Sequence, residues 1–176
     1  MTEFPERKRL RWSEFDYSTA ANYFMTLVVN DRQCLFGEVK NGELVHSEAG
    51  RMIEQVLLSV SDRFPDVFIV QEVVMPNHVH LIMQNREDAN VTDVMRWLKS
   101  VTTNKYIHGV NEKGWIPFHG RLWQRSYYDH VIRNQRVYDF VSNYIYKNPE
   151  RWNKDLLNDD CDGDSDDIGD TIKKMM

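Results

Sequence analysis

Cysteine is almost absent from this 176-residue chain: there are only Cys34 and Cys161, far apart and without a CxxC pair. That excludes a disulfide framework and a thiolate metal site, and makes the reducing cytoplasm the expected compartment. Long apolar runs are missing as well. Nothing approaches the roughly 18 residues needed to span a membrane, and the charged opening MTEFPERKRLRW lacks the apolar core of a signal peptide. There is no GxxxxGK[ST] phosphate loop, which argues against a helicase or Rep activity. No repeats and no Pro/Gly/Ser-rich linker divide the chain. The formal charge of -5 comes from one end: residues 155–176 hold two lysines against eight aspartates, while residues 1–154 are nearly neutral at +1. A neutral average neither supports nor excludes nucleic acid, because binding depends on where charge sits.

What is present is a hydrophobic fraction of 41% with 12% aromatic residues, enough for one ordinary core. Tyr23–Asn30 is β-branched and aromatic and reads as a strand. In residues 35–46 the Asn41-Gly42 pair between two extended runs signals a hairpin. A helix begins at Ser47, with Met52, Ile53, Val56, Leu57 and Val60 at helical spacing, and ends at Phe64-Pro65. Val67–Val74, apolar apart from Gln71-Glu72, reads as a buried strand, and after Met75-Pro76-Asn77 the segment His78–Gln84 alternates enough to read as a second strand paired with it. Residues 92–107 read as a helix, Gly109–Gly120 as a loop, Leu122–Ile132 as a strand, and Arg136 to Lys147 as a helix stopped by Asn148-Pro149. The pattern predicts an α+β domain over residues 1–157, with helices on an antiparallel sheet. Residues 158–176 read as an acidic disordered tail.

Two segments carry chemistry. In Pro76-Asn77-His78-Val79-His80-Leu81, histidines at i and i+2 of a strand point to one face and Val79 to the other. Two imidazoles so placed can share a metal ion, although two ordinary histidines at a strand start fit the same spacing. In Tyr144-Ile145-Tyr146-Lys147-Asn148-Pro149, Tyr144 and Asn148 lie one helical turn apart on one face. A hydroxyl nucleophile and an amide ligand then meet one site; a core tyrosine and a helix-end cap are the alternative reading.

These segments belong to a wider pattern. Phe15–Asn30 (FDYSTAANYFMTLVVN), Cys34–Val39 (CLFGEV), Val73–Ile82 (VVMPNHVHLI), Leu122–Asn134 (LWQRSYYDHVIRN) and Tyr144–Trp152 (YIYKNPERW) resemble the IS200-type transposases, and more closely the REP-associated tyrosine transposases of bacteria. The resemblance spans roughly residues 7–155. It implies a ferredoxin-like antiparallel sheet with helices packed on it, histidines on a central strand, and the nucleophile on a C-terminal helix. The family's pair of metal-binding histidines around a hydrophobic residue falls on His78 and His80, its catalytic tyrosine on Tyr144, and the polar residue that completes the metal site on Asn148. Tyr146 is the competing nucleophile, but on a helix it diverges from Tyr144 by about 200°.

The activity implied is transposition of single-stranded, hairpin-bearing DNA, with Mg2+ or Mn2+ at His78, His80 and Asn148. A free tyrosine, with a pKa near ~10, is a weak nucleophile; the ion polarises the scissile phosphate, and Tyr144 forms a 5′-phosphotyrosine that a 3′-hydroxyl later reverses. Candidate DNA contacts are Arg7, Lys8, Arg9 and Arg11 in the N-terminal arm, Arg96, Lys99 and Lys105 on a helix, and His130 and Arg133 in DHVIRN. Trp97, Tyr127 and Tyr128 are candidates for base stacking, with core packing as the plainer role. Two other classes stay open: a domesticated protein that binds hairpins without cutting, and a phosphodiesterase that uses water and is indifferent to Tyr144. A homodimer and a monomer are both compatible with the resemblance. The aspartate-rich tail is expected to solubilise the chain or to compete with DNA for basic surface.

Overall fold

The computed structural model describes residues 21–87, 89–159 and 168–175. In chain order the elements are β1 (Ala21–Val28), a turn at Asn30–Arg32, β2 (Gly37–Lys40), β3 (Glu43–His46), α1 (Glu48–Leu58), α2 (Val60–Arg63), β4 (Val67–Val74), β5 (His78–Asn85), α3 (Val91–Lys113), β6 (Tyr128–Ile132), α4 (Gln135–Lys147), a 3-10 segment Pro149–Lys154, and α5 (Ile168–Met175). Four strands form one antiparallel sheet in the order β4-β5-β1-β6. This is the ferredoxin-like arrangement expected, with β2 and β3 as a separate hairpin. Asn41 and Gly42 turn that hairpin with φ of 54° and 79°, the left-handed pair that a two-residue turn requires.

Helix starts follow the polar residues that precede them. Ser47 Oγ accepts from the Gly50 amide, Asn90 Oδ1 from Thr92, and Asn134 Oδ1 from Val137, each satisfying an amide the helix itself leaves unpaired. The expected helix over 92–107 runs further, through Gly109 to Lys113. The Trp115 ring folds back onto Gly109 so closely that a Cβ there would lie 2.2 Å from it. A mid-helix glycine is therefore a packing choice, and Gly114, with φ of 69°, is the residue that ends the helix.

Three other expectations are corrected. The strand expected over Leu122–Ile132 starts only at Tyr128, because the Lys99 ammonium donates to the carbonyls of Gln124, Arg125 and Ser126 and draws them from the ladder. β4 is an edge strand, not a buried one: its register shifts between Ile69 and Gln71, and Val70 is 43% exposed. The tail expected to be disordered ends in a helix, α5, whose Ile172 is completely buried. Residues 160–167 of that tail lie outside the described residues.

Both faces of the sheet are covered. Side chains alternate along a strand, so Tyr23, Met25 and Leu27 of β1 join Val79, Leu81 and Met83 of β5 in a core with α1 and α3. Phe24 and Ile82 point the other way, into a smaller cluster with Val137, Val141 and Ile145 of α4 and Ile172 of α5. The alternation expected over His78–Gln84 is therefore absent from its burial: with both faces covered, His78 through Met83 are all buried. Among the described residues no helix is long and apolar enough to cross a membrane.

Candidate active site

The two histidines sit on central β5, on the α4 side of the sheet. His80 is directly opposite Thr26 of β1, and His78 opposite Val28. Both imidazoles are buried, with ring centroids 4.5 Å apart. Burial lowers the His78 pKa to about 3, with the neighbouring Asn148 amide opposing the shift in part. Burial also lowers the His80 pKa well below its ordinary value, helped by His78 and opposed by Asp155. Both rings are therefore neutral at physiological pH, the form in which imidazole binds a metal.

Asn77 sets the tautomer of His78. Its Nδ2 donates to the carbonyls of Leu157 (2.7 Å) and Arg32 (3.1 Å), which identifies Oδ1 as the atom 2.8 Å from His78 Nδ1. Since Oδ1 only accepts, His78 Nδ1 carries the proton and Nε2 presents its lone pair. His80 Nδ1 lies 2.8 Å from Thr26 Oγ1, a contact in which the ring donates when Nε2 is bare. Both Nε2 atoms are thus directed into the site by partners at the opposite nitrogen, the arrangement common to metal-binding histidines.

α4 supplies the next two groups. Val137, Val141 and Ile145 anchor it to the smaller core, which turns Tyr144 and Asn148 toward β5. The Tyr144 hydroxyl lies 3.4 Å from His80 Nε2, and its ring packs edge-on against Phe24. Tyr146, two residues on, is 76% exposed and points away. Asn148 is buried at the C-terminal cap of α4; its Nδ2 donates to Asp155 Oδ2 at 3.2 Å, and its Oδ1 has no hydrogen-bond partner among the described residues.

Asp155 is the group that sequence reasoning missed, having counted it with the acidic tail. The 3-10 segment Pro149–Lys154 brings it back under α4, where it is 8% exposed with Oδ2 3.7 Å from His78 Nε2. One ligand atom each from His78, His80 and Asp155 falls within 4.8 Å of the others. Two nitrogen donors, a carboxylate and the unpaired oxygen of Asn148 make a donor set that suits a divalent ion. His78 Nε2 is likewise buried without a hydrogen-bond partner among the described residues. Such orphaned lone pairs are costly, and a cation among them would satisfy both.

Beside this cluster a cavity of about 190 Å³ is lined by Thr26, Tyr128, Tyr144, Asn148, Arg151 and Lys154, with Ile168 and Gly169 of α5 contributing to its wall. Arg151 and Lys154 were not among the expected DNA contacts. The only sequence signal for them is position, since they follow Asn148 within two turns.

The expected contacts are distributed unevenly. Arg96, Lys99 and Lys105 lie on α3, which packs on the opposite face of the sheet from the histidines. Arg96 pairs with Asp93 on its own helix, Lys99 holds the three loop carbonyls, and Lys105 lines a depression with Glu48 and Arg51. His130 is on the histidine face but opposite Phe24, half-buried, with its pKa lowered by burial and by Arg133 and Lys173. Arg133 is exposed at the end of β6. Tyr128 lines the cavity, whereas Tyr127 and Trp97 pack into the larger core. Arg7, Lys8, Arg9 and Arg11 lie outside the described residues.

Comparison with known proteins accords with this geometry. Residues 17–148 match the model of the family described as transposase IS200 like. An uncharacterised protein of Haemophilus influenzae is 28% identical over 86% of this chain and 92% of its own length. A second protein of that organism, described as a REP-associated tyrosine transposase, is 25% identical over 76% of this chain and 73% of its own. The solved structure of a REP-associated tyrosine transposase bound to a REP hairpin superposes with a TM-score of 0.58 at 22% identity, over 86% of this chain and 74% of that one.

Proposed function

The chain belongs to the IS200-like transposase family, and from that premise we propose that it cuts and rejoins single-stranded, hairpin-bearing DNA with Tyr144 as the nucleophile. The observation that carries the reading is the approach of the Tyr144 hydroxyl to within 3.4 Å of His80 Nε2, at the edge of the His78–His80–Asp155 cluster. A tyrosine at hydrogen-bond reach of a metal-ligand set is placed to attack a phosphate held there.

His78, His80 and Asp155, with Asn148 Oδ1, would hold Mg2+ or Mn2+. When bound, the ion supplies Lewis-acid polarisation of the scissile phosphate and offsets charge developing on it. The chain's own residues do the remainder. Asn77 and Thr26 fix the two rings, Asn148 steadies the Asp155 carboxylate, and the packing of Phe24 against the Tyr144 ring limits its swing. Arg151 and Lys154 line the adjoining cavity as cations for the flanking backbone. The Tyr144 oxygen bonds to phosphorus as the bond to the 3′ oxygen breaks. The phenolic proton is lost to solvent and a proton is gained by the leaving oxygen, so that a 5′-phosphotyrosine and a 3′-hydroxyl result. Attack by a 3′-hydroxyl on that ester reverses the step and joins strands without a nucleotide cofactor.

The test is a denaturing gel of purified protein with labelled single-stranded hairpins and Mn2+ or Mg2+. A metal-dependent covalent protein–DNA band that is lost in Tyr144→Phe and kept in Tyr146→Phe is expected. Binding without an adduct would indicate a domesticated hairpin-binding protein, and cleavage that survives Tyr144→Phe would indicate a water nucleophile.

A further inference from the structure

Across the Asp155–Asp159 segment from the catalytic cavity lies an open groove of about 830 Å³, lined by Asn30, Arg32, His119, Arg121, Arg125 and Asp159 among others. We propose that this groove is a second phosphate-binding surface for the DNA single strand, and that Asp159 occupies it in the free protein. The inference rests on the reading of the chain as a single-strand transposase and extends it to how the strand is held beyond the reacting phosphate.

Three arginines face the groove. Arg121 and Arg125 are exposed and make no ion pair with any described residue. Arg32 Nη1 is engaged by the Asp159 carboxylate at 3.3 Å and the Leu156 carbonyl at 3.2 Å. The Arg32–Asp159 pair is solvent-exposed, with side chains 43% and 67% accessible. Pairs of this kind contribute little and exchange readily. A DNA phosphate offers the guanidinium the same single charge on two non-bridging oxygens that suit a bidentate contact, so it can replace the carboxylate directly.

The arginines stand on a frame that is held in place. Asp31 and Arg32 both adopt left-handed φ, 57° and 51°, a conformation that non-glycine residues keep only where the surroundings impose it. Here Asn77 Nδ2 donates to the Arg32 carbonyl, and the Asn30 amide donates to the Leu122 carbonyl. On the other wall the Lys99 ammonium gathers the carbonyls of Gln124, Arg125 and Ser126. A partly buried cation bound to three successive carbonyls holds the loop that carries Arg125.

The groove is tied to the metal-ligand cluster through one side chain and one short segment. The side chain that holds the Arg32 turn, Asn77, is the one that orients His78. The segment that places Asp155 beside His78 places Asp159 against Arg32 four residues later. A strand whose phosphate lies at Tyr144 therefore has a basic track on the far side of residues 156–158.

The test is fluorescence anisotropy of the full-length protein with a labelled 20-nucleotide oligothymidylate, in EDTA, from 50 to 300 mM NaCl. Neutralising two phosphate contacts changes the slope of log K against log salt by roughly 0.7 each for single strands. Arg121→Ala/Arg125→Ala is thus expected to flatten the slope by about 1.4 and weaken binding several-fold at low salt. Arg121→Lys/Arg125→Lys, which keeps the charge, should retain the slope. Asp159→Asn is expected to tighten binding at least twofold, and that gain should vanish when Arg32→Ala is added. Unchanged affinity and slope in the double alanine variant, or an Asp159→Asn protein that binds as wild type does, would overturn the proposal. EDTA keeps the outcome separate from cleavage: failure of the Tyr144 adduct with metal would sink the catalytic reading and leave the groove standing, and the reverse holds equally.

Discussion

Asn77→Leu removes a side chain that joins the metal-ligand cluster to the turn at Asn30–Arg32. Asn77 is 1% exposed and makes three hydrogen bonds, to His78 Nδ1 (2.8 Å), the Leu157 carbonyl (2.7 Å) and the Arg32 carbonyl (3.1 Å). A neutral hydrogen bond contributes about 1 kcal/mol net, and a buried partner left unpaired costs about 1–3 kcal/mol. The two carbonyls lie toward solvent-exposed chain and can rehydrate, whereas His78 Nδ1 is fully enclosed. The expected loss is then about 3 kcal/mol of unfolding free energy in metal-free protein. His78 also loses the acceptor that holds its proton on Nδ1, so the tautomer with Nε2 protonated competes for the site. Loss of such an orienting partner typically weakens metal affinity about 10- to 100-fold. Urea unfolding in EDTA and calorimetric titration with Mn2+ read the two effects separately. An Asn77→Leu protein with stability within about 0.5 kcal/mol of wild type and unchanged Mn2+ affinity would refute the argument that Asn77 sets the His78 tautomer.

Two further outcomes follow from the same geometry. In metal-free protein the unfolded chain binds a proton at His78 near pH 6.5, whereas the folded chain resists it down to about 3. Stability is therefore complete above pH 6.5 and falls as pH drops, by at most about 5 kcal/mol from this residue; His80 acts in the same direction. Urea unfolding between pH 7 and 4 should show a shallower loss in His78→Gln than in wild type, and parallel curves would contradict the assignment. Ile172→Ala should undock α5, because Ile172 is its fully buried anchor among Phe24, Ile82 and α4. Deleting such a side chain costs about 2–5 kcal/mol, but the loss is capped by the docking free energy of a helix that can separate locally. Amide exchange should accelerate over 168–175 while β1 and β5 keep their protection; unchanged exchange in α5 would refute the anchoring role.

Local chemistry made much of the site legible in advance. A two-residue strand period places His78 and His80 on one face, and a four-residue helical spacing places Tyr144 and Asn148 together. Those relations hold whatever the rest of the chain does. Composition does not separate Tyr144 from Tyr146, but packing gives them different surroundings, since Val137, Val141 and Ile145 bury one side of α4 and leave Tyr146 in solvent.

Long-range packing decided the remainder. Asp155 has no spacing relation to His78; it reaches the histidine because a 3-10 segment after Pro149 reverses the chain beneath α4. Lys99 reads as a DNA contact from its charge, yet three loop carbonyls occupy it. β4 reads as buried from its apolar run, but strand order puts it at an edge. Ile168–Met175 follows an aspartate-rich stretch and is too short to be a stable helix alone, so only a complementary apolar cluster on α4 and β5 orders it. Sequence determined which residues share a face, because that depends on backbone periods of a few residues. Tertiary structure determined which faces meet, because that depends on contacts between segments that no local period relates.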